Sequence, residues 1–510
     1  MPTLPTNNMP DLSTILPEII LIAVAFLLFL LGCSKKPAIR RLSAILAIGA
    51  MLGTFIMQLG TNIEPVGNLF QTLWIDEFGH YFRLLALLMG ALLALLSFPT
   101  NKDANGNSAL ELGHDTGEYF GLLTLSVTGL VLLCAANDLI VLFLALELVS
   151  IPTYVMVSMS RGTPLAQEAG LKYFFLGALS AAIMLFGFSY LFGATGKINL
   201  TEIADSIQSA IRTNGTLPTW QLFAVVLVLV GVAYKLAAFP LHFYAGDVYE
   251  GAATSVTAFL AFVPKAAGIV ATIKILHAVG GNNFNLPPSL VTMLWAIAAI
   301  TMSVGNLLGL LQTNIKRTLA YSSIAHSGYM LVGLASLAGA HNDALSGVVF
   351  YLTAYGLMNV GAFGVLMLLP SREGKGSAET FEDLAGQGRK NVVLGLAMTV
   401  SCFSLIGLPL TVGFFGKLFL IRPALDAGNL WLVIILVTNA AISAGYYLRI
   451  VGAMFLRPSP DVPAAALPRQ WPIVTAVVLS VLGTLLIGTV PQMARWLSQY
   501  AETAALVKQP

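Results

Sequence analysis

Three ionisable residues lie deep inside long apolar stretches of this 510-residue chain, Glu147, Lys235 and Lys265, and Lys417 repeats the theme after a proline break that spoils the count of its depth. An ionised side chain at bilayer depth costs roughly 3 kcal/mol or more unless it faces protein or water, so such residues mark ion or proton paths or pairs that lock helices. A buried lysine changes its protonation with small changes in its surroundings, and a carboxylate nearby supplies such a change. Glu147 beside Lys235 would therefore let the lysine alternate between donor and acceptor, which a proton relay requires. The competing reading is a structural pair that only holds two helices together. Lys172 lies near one end of its helix, where it either joins the series or snorkels to the interface. His242 and His326 titrate near neutral pH and can bridge between lysines, although a lone histidine among apolar residues often only packs.

The elements that must position these groups are membrane helices. The chain is 57% hydrophobic and 10% charged, whereas a soluble domain is about a quarter charged. We read an all-α polytopic membrane protein with about fourteen spans, each long enough for a hydrocarbon core of about 30 Å. An amphipathic piece near Leu200–Ile211 is expected on a surface or capping a bundle end. Pro240 follows Lys235 and Pro409 precedes Lys417, and each proline removes a backbone hydrogen bond, so both mark expected helix breaks. A broken helix survives at membrane depth only where protein or a wet cavity satisfies the freed groups.

The spans divide into residues 1–116, with three helices, and a five-helix unit over 117–279. A second five-helix unit over 287–458 and a last helix with its tail over 470–510 complete the chain. The fourth helix of each unit carries a proline break and a lysine, and an odd helix count forces the second copy to insert upside down. Inverted repeats with broken helices are a transporter architecture. Numbering the loops alternately puts Lys35, Lys36, Arg161, Lys316, Arg317, Arg389 and nine other cations on one side, against six on the other. The more basic side faces the cytoplasm, leaving both termini outside it. Lys274, Lys316 and Arg317 read as topology determinants at helix ends, and Arg83 is expected to reach the interface.

Other function classes are excluded. A formal net charge of +2 and no basic tract argue against nucleic-acid binding. Cys33, Cys134 and Cys402 are scattered without metal or redox spacing. There is no P-loop and no dinucleotide fingerprint, so any redox or nucleotide chemistry belongs to partners.

The stretches LALELVSIPTYVMV, EAGLKYFFLGALSAAIMLFGFSYLFGATG, YKLAAFPLHFYAGDVYEGAATSVTAFLAFVPKAAG and KRTLAYSSIAHSGYMLVG resemble the antiporter-like membrane subunits of respiratory complex I. The resemblance runs from about Leu16 to Arg457. It implies fourteen helices, two inverted five-helix units and proton translocation driven by quinone reduction elsewhere. It also implies membrane-subunit partners, a bacterial inner-membrane location, and FMN, iron–sulfur clusters and quinone on partner subunits, with no cofactor here. Carried over by motif, Glu147 and Lys235 match the family's coupled pair, Lys172 its helix-six lysine, Lys265 its central lysine and Lys417 its exit-side residue. A lysine at 417 fits one branch of the family better than the branch where glutamate is usual. Tyr244, Gly246 and Ala253 depart from the family's usual residues in the loop after helix seven. Two alternatives share these signatures or lack the transport role: a multisubunit cation/proton antiporter or related membrane hydrogenase, and a structural scaffold.

Overall fold

A computed structural model describes residues 15–34, 36–60, 66–68, 72–99, 115–371, 377–458, 470–490 and 492–493. The chain is almost entirely helical. Its first part comprises α1 Leu16–Gly32, α2 Pro37–Leu59, strands β1 Val66–Asn68 and β2 Leu73–Ile75, and α3 Glu77–Leu96. Next come α4 Thr116–Ala135, α5 Leu139–Met159, α6 Pro164–Thr195, α7 Leu200–Asn214, α8 Thr219–Lys235, α9 Tyr244–Gly251 and α10 Thr254–Gly280. The third group is α11 Pro288–Leu310, α12 Ile315–Ala335, α13 Leu337–Leu368, α14 Phe381–Leu384 and α15 Gln387–Lys390. It is followed by α16 Val392–Ile406, α17 Val412–Asp426, α18 Leu430–Phe455 and α19 Trp471–Thr489. Among the described residues ten helices are long and apolar enough to cross a membrane. Among the described residues the antiparallel pair β1–β2 departs from an all-α reading, and Leu73–Ile75 is an apolar, β-favouring run.

Helix starts follow local chemistry. Asp76 accepts from Gly79 N at 2.7 Å, Asp138 from Ile140 N at 2.7 Å, and Asn314 from Arg317 N at 3.2 Å. Each satisfies a donor that has no partner within its helix. α7 starts on an Asn199 cap and ends at Gly215, and it packs against α10 and α6, capping that part of the bundle. α10 is buried on every side, between α4, α5, α7, α8, α12 and α13. A helix that is apolar all round belongs at a core. The outer helices instead turn Leu30, Phe175, Val393 and Trp431 outward, the faces a bilayer covers.

Both prolines sit inside breaks, yet each helix stops before its proline is reached. α8 ends at Lys235 and α16 at Ile406. The reason is the bond that the proline cannot make. Pro240 has no N–H for Leu236 O, and Pro409 has none for Leu405 O. The freed Leu236 carbonyl accepts from Ser327 Oγ, and the Leu405 carbonyl accepts from Lys417 Nζ at 3.3 Å. Ala237 in the first break and Leu410 in the second adopt positive φ, +51° and +71°.

One expectation is overturned. Arg83 does not reach the interface: its side chain is 1% exposed and pairs with Glu18 of α1. Glu18, in the first turn of α1, is itself buried beside it, so pairing replaces snorkelling.

Candidate functional site

The first charged node joins α5 to the end of α8. Glu147 and Ser150 are three residues apart and so share a helix face. Lys235 Nζ lies 3.3 Å from Glu147 Oε1 and donates to Ser150 Oγ. It is fully enclosed, whereas the Glu147 side chain is 16% exposed, on an α5 face that also presents Leu144 and Ile151 outward. The rings of Tyr154 and Tyr234 lie about 6 Å from the ammonium, within the range of cation–π attraction.

α10 supplies the second node. Lys265 Nζ donates to the carbonyl of Ser323 on α12 and to its Oγ, the latter at 2.7 Å, and lies 4.7 Å from the centroid of the Tyr355 ring. One turn on, α10 presses on the first break at Gly268. A Cβ there would meet Leu236 Cδ2 at 2.7 Å and Lys235 Cβ at 3.2 Å. Any larger residue would push the central helix off the break. Ser323 Oγ is also 3.3 Å from Tyr249 OH.

His326 follows Ser323 by three residues on α12. Its Nδ1 is 2.7 Å from Tyr351 OH and its Nε2 is 3.1 Å from Tyr447 OH. A neutral imidazole offers one donor and one acceptor, so the two phenols must play opposite roles. Tyr447 also bonds Ser322, and the Tyr355 ring lies 4.9 Å from that of His326. Beyond this node Lys417 Nζ stands 4.7 Å from the centroid of Tyr329 and donates to Leu405 O and Ile406 O at 3.3 and 2.6 Å. Asn306 fixes Tyr329 by donating to its hydroxyl at 2.9 Å.

Lys235, Lys265, His326 and Lys417 thus form a buried set on α8, α10, α12 and α17, with Glu147 of α5 partly exposed beside its first member. Lys172 does not join it. It stays 43% exposed, 2.7 Å from Asp247 and 2.8 Å from Glu168. His242 is buried between Phe239 and Phe243, at 5.8 and 4.6 Å, and its Nδ1 has no hydrogen-bond partner. It bonds none of the lysines.

Sequence reasoning missed Ser150, Tyr249, Tyr329, Tyr351, Tyr355 and Tyr447, since a hydroxyl on an apolar helix reads as packing. The spacing of Tyr351 and Tyr355, four apart and therefore on one face, was the available signal. Ser322, Ser323 and Ser327 of α12 each bond a group of the site or a break.

At the α12 N-terminal end Lys316 donates to Ala252 O at 2.8 Å and pairs with Glu379 at 2.9 Å, and Arg161 reaches the same carboxylate. Burial alone would raise the Glu379 carboxyl, but Lys316 and Arg161 outweigh it and hold the group below the usual carboxylate range. Among the described residues no group of three His, Cys, Asp or Glu could hold a metal ion.

A buried row of lysines running past two broken helices defines a polytopic membrane protein built around a charged interior. A family model described as NADH:quinone oxidoreductase/Mrp antiporter, TM matches residues 136–443, the span that holds Glu147, Lys235, Lys265, His326 and Lys417. The chain is 37% identical to NADH-quinone oxidoreductase subunit N of Trichlorobacter lovleyi over 504 residues, 96% of this chain and 97% of the relative. It is 34% identical to subunit N of Myxococcus xanthus over 97% of this chain and 98% of that one. A chain in the structure of respiratory complex I from Thermus thermophilus with bound aureothin superposes with TM-score 0.75 at 31% identity, covering 94% of this chain and 98% of that one. The Mrp complex from Dietzia contains a chain of the same fold, with TM-score 0.80 at 19% identity over 97% of each. The protein belongs to the NADH-quinone oxidoreductase subunit N family.

Proposed function

We propose that this chain is a proton-translocating membrane subunit of an NADH-quinone oxidoreductase, passing protons along Glu147, Lys235, Lys265, His326 and Lys417. The observation that carries the reading is the Lys235–Glu147 pair, 3.3 Å apart at a helix break inside the apolar bundle. A lysine kept there only as ballast would cost stability with no return. Paired with a carboxylate and flanked by hydroxyls, it can be charged and discharged as its partner moves. This chain holds and moves the proton, while FMN, iron–sulfur clusters and quinone on partner subunits supply the redox driving force.

The finer architecture follows the same reading. Counting α8 with α9 and α16 with α17 as single broken spans, and setting aside α7, α14 and α15, gives fourteen spans, an even number that puts both termini on one side of the bacterial inner membrane, and the Lys/Arg bias makes that the side away from the cytoplasm. α4–α10 and α11–α18 are the two five-span units. In each fourth member the carbonyl four residues before a proline is captured by a side chain, Ser327 of α12 in the first and Lys417 of the same broken span in the second.

Lys235→Met in the assembled complex tests the function. Proton translocation into inverted vesicles should fall several-fold while the amount of assembled complex is unchanged. Full pumping by that variant would refute the proposal. Sodium transport without any redox substrate would instead place the chain with the antiporters.

A further inference from the structure

α9 is the short helix that resumes the chain after the first break, and it is held from two sides through one carboxylate. Asp247 Oδ2 accepts from Lys172 Nζ of α6 at 2.7 Å, and its Oδ1 accepts from Arg317 of α12 at 2.8 Å. Glu250, three residues on and therefore on the same face, binds Arg317 at 2.8 Å. The tie thus spans both five-span units, α6 in the first and α12 in the second.

The tie is linked directly to Lys235. Tyr244, the first residue of α9, donates through its hydroxyl to Tyr234 O at 2.9 Å, in the last turn of α8. Tyr234 in turn donates to the carbonyl of Tyr173 at 2.7 Å, the neighbour of Lys172 on α6. The three rings form one stack: Tyr173–Tyr244 at 5.2 Å, Tyr234–Tyr244 at 4.4 Å and Tyr173–Tyr234 at 6.0 Å. Lys235 follows Tyr234 immediately. A shift of α9 is therefore passed through these rings to the residue that precedes the lysine. Packing is tight at the clamp as well, where a Cβ on Gly246 would lie 3.3 Å from the Arg317 guanidinium.

We propose that Lys172, Asp247 and Arg317 form an ionic clamp that sets the position of α9 and, through the Tyr173–Tyr234–Tyr244 stack, the placement of Lys235 against Glu147. Lys172 is then a positioning residue and not a carrier of the proton, because its ammonium contacts are Glu168 and Asp247 at the partly exposed end of α6 and none belongs to the buried row. The inference rests on the proton-translocating reading of Lys235.

Arginine separates the two roles for Lys172. A guanidinium keeps its charge and its reach to a carboxylate, but it does not give up a proton at physiological pH. Proton translocation would be measured in inverted vesicles containing the intact complex, normalised to assembled complex, for Lys172→Arg, Lys172→Met, Asp247→Asn and the Lys172→Met/Asp247→Asn double variant, with Lys235→Met as reference. The clamp predicts near-normal pumping for Lys172→Arg. Lys172→Met and Asp247→Asn each fall by roughly five-fold, the lower end of site-to-site couplings, and the double variant falls no further, because the two changes break one unit. Loss of pumping in Lys172→Arg equal to that in Lys172→Met would overturn the clamp in favour of a relay, and so would additive losses in the double variant. Normal pumping by Lys172→Met would remove it altogether. Normal pumping by Lys235→Met, by contrast, would defeat the proton-translocating reading itself, whatever the clamp variants do.

Discussion

Replacing Lys417 should damage the protein in two separable ways, because its ammonium both stands at the end of the charged row and fills the second break. Nζ is the donor that the structure gives Leu405 O and Ile406 O, at 3.3 and 2.6 Å. A buried acceptor left without a donor costs about 1–3 kcal/mol. Inside a membrane the lower end applies, because the alternative states also find partners. Two orphaned carbonyls therefore cost Lys417→Met about 2 kcal/mol by the same figures. Glutamine keeps an amide nitrogen that ends one bond short of Nζ and so holds one of the two carbonyls, and it carries no titratable proton, so Lys417→Gln should lose about half as much. The assay is thermal melting of the detergent-solubilised complex beside proton translocation in vesicles. Melting should order as wild type, then Gln, then Met, while both variants lose translocation. If Gln and Met melted alike, the carbonyl account would be wrong; if Gln translocated at the native rate, Lys417 would be structural only.

Two further outcomes follow from charges off the main row. Arg83 and Glu18 are enclosed together, at 1% and 6% exposure, so Arg83→Met alone should cost about 3–5 kcal/mol by stranding a buried carboxylate. Adding Glu18→Gln should recover most of that in melting temperature, and a double variant no better than the single would show that the pair is not the cause. The lowered Glu379 carboxyl binds its proton less readily when folded than when unfolded, so its contribution is complete above the ordinary glutamate value of about 4.3 and is lost as pH falls to the lowered folded value. Glu379→Gln should therefore flatten the acid side of the melting-temperature profile, and an unchanged profile would mean that Lys316 and Arg161 do not act through it.

What the sequence made legible was what single residues enforce. A lysine or glutamate in an apolar run cannot be accidental, so Glu147, Lys235, Lys265 and Lys417 stood out by type alone. Prolines announced the two breaks but not where they begin, because the cost of a missing N–H falls on the carbonyl four residues earlier. The many apolar helices were legible because a span needs length and hydropathy and little else, and ten such helices lie among the described residues. Partner choice was hidden. Arg83 looked like an interfacial arginine because nothing in its own helix reveals Glu18, sixty-five residues away. Lys172 could not be separated from the buried row, since its burial depends on how α6 turns against α9 and not on its distance from a helix end. The tyrosines around His326 were invisible because a phenol satisfies both the apolar pattern and a hydrogen bond.

The two breaks also differ. Lys235 ends the helix before its break and reaches across to a side chain, Glu147, which sits partly exposed on a single helix face and has rotamers to choose from. Lys417 follows its break and reaches back to main-chain carbonyls, whose positions are fixed by the backbone and by Gly407 at φ +91°, where a Cβ would crowd Lys417 Cδ at 2.9 Å. The partner of the first lysine can move without refolding anything. The partners of the second cannot move unless the break itself changes shape. On the proposed relay, rotation of one carboxylate can answer a change of charge at Lys235, whereas at Lys417 the lysine side chain itself must move against fixed carbonyls.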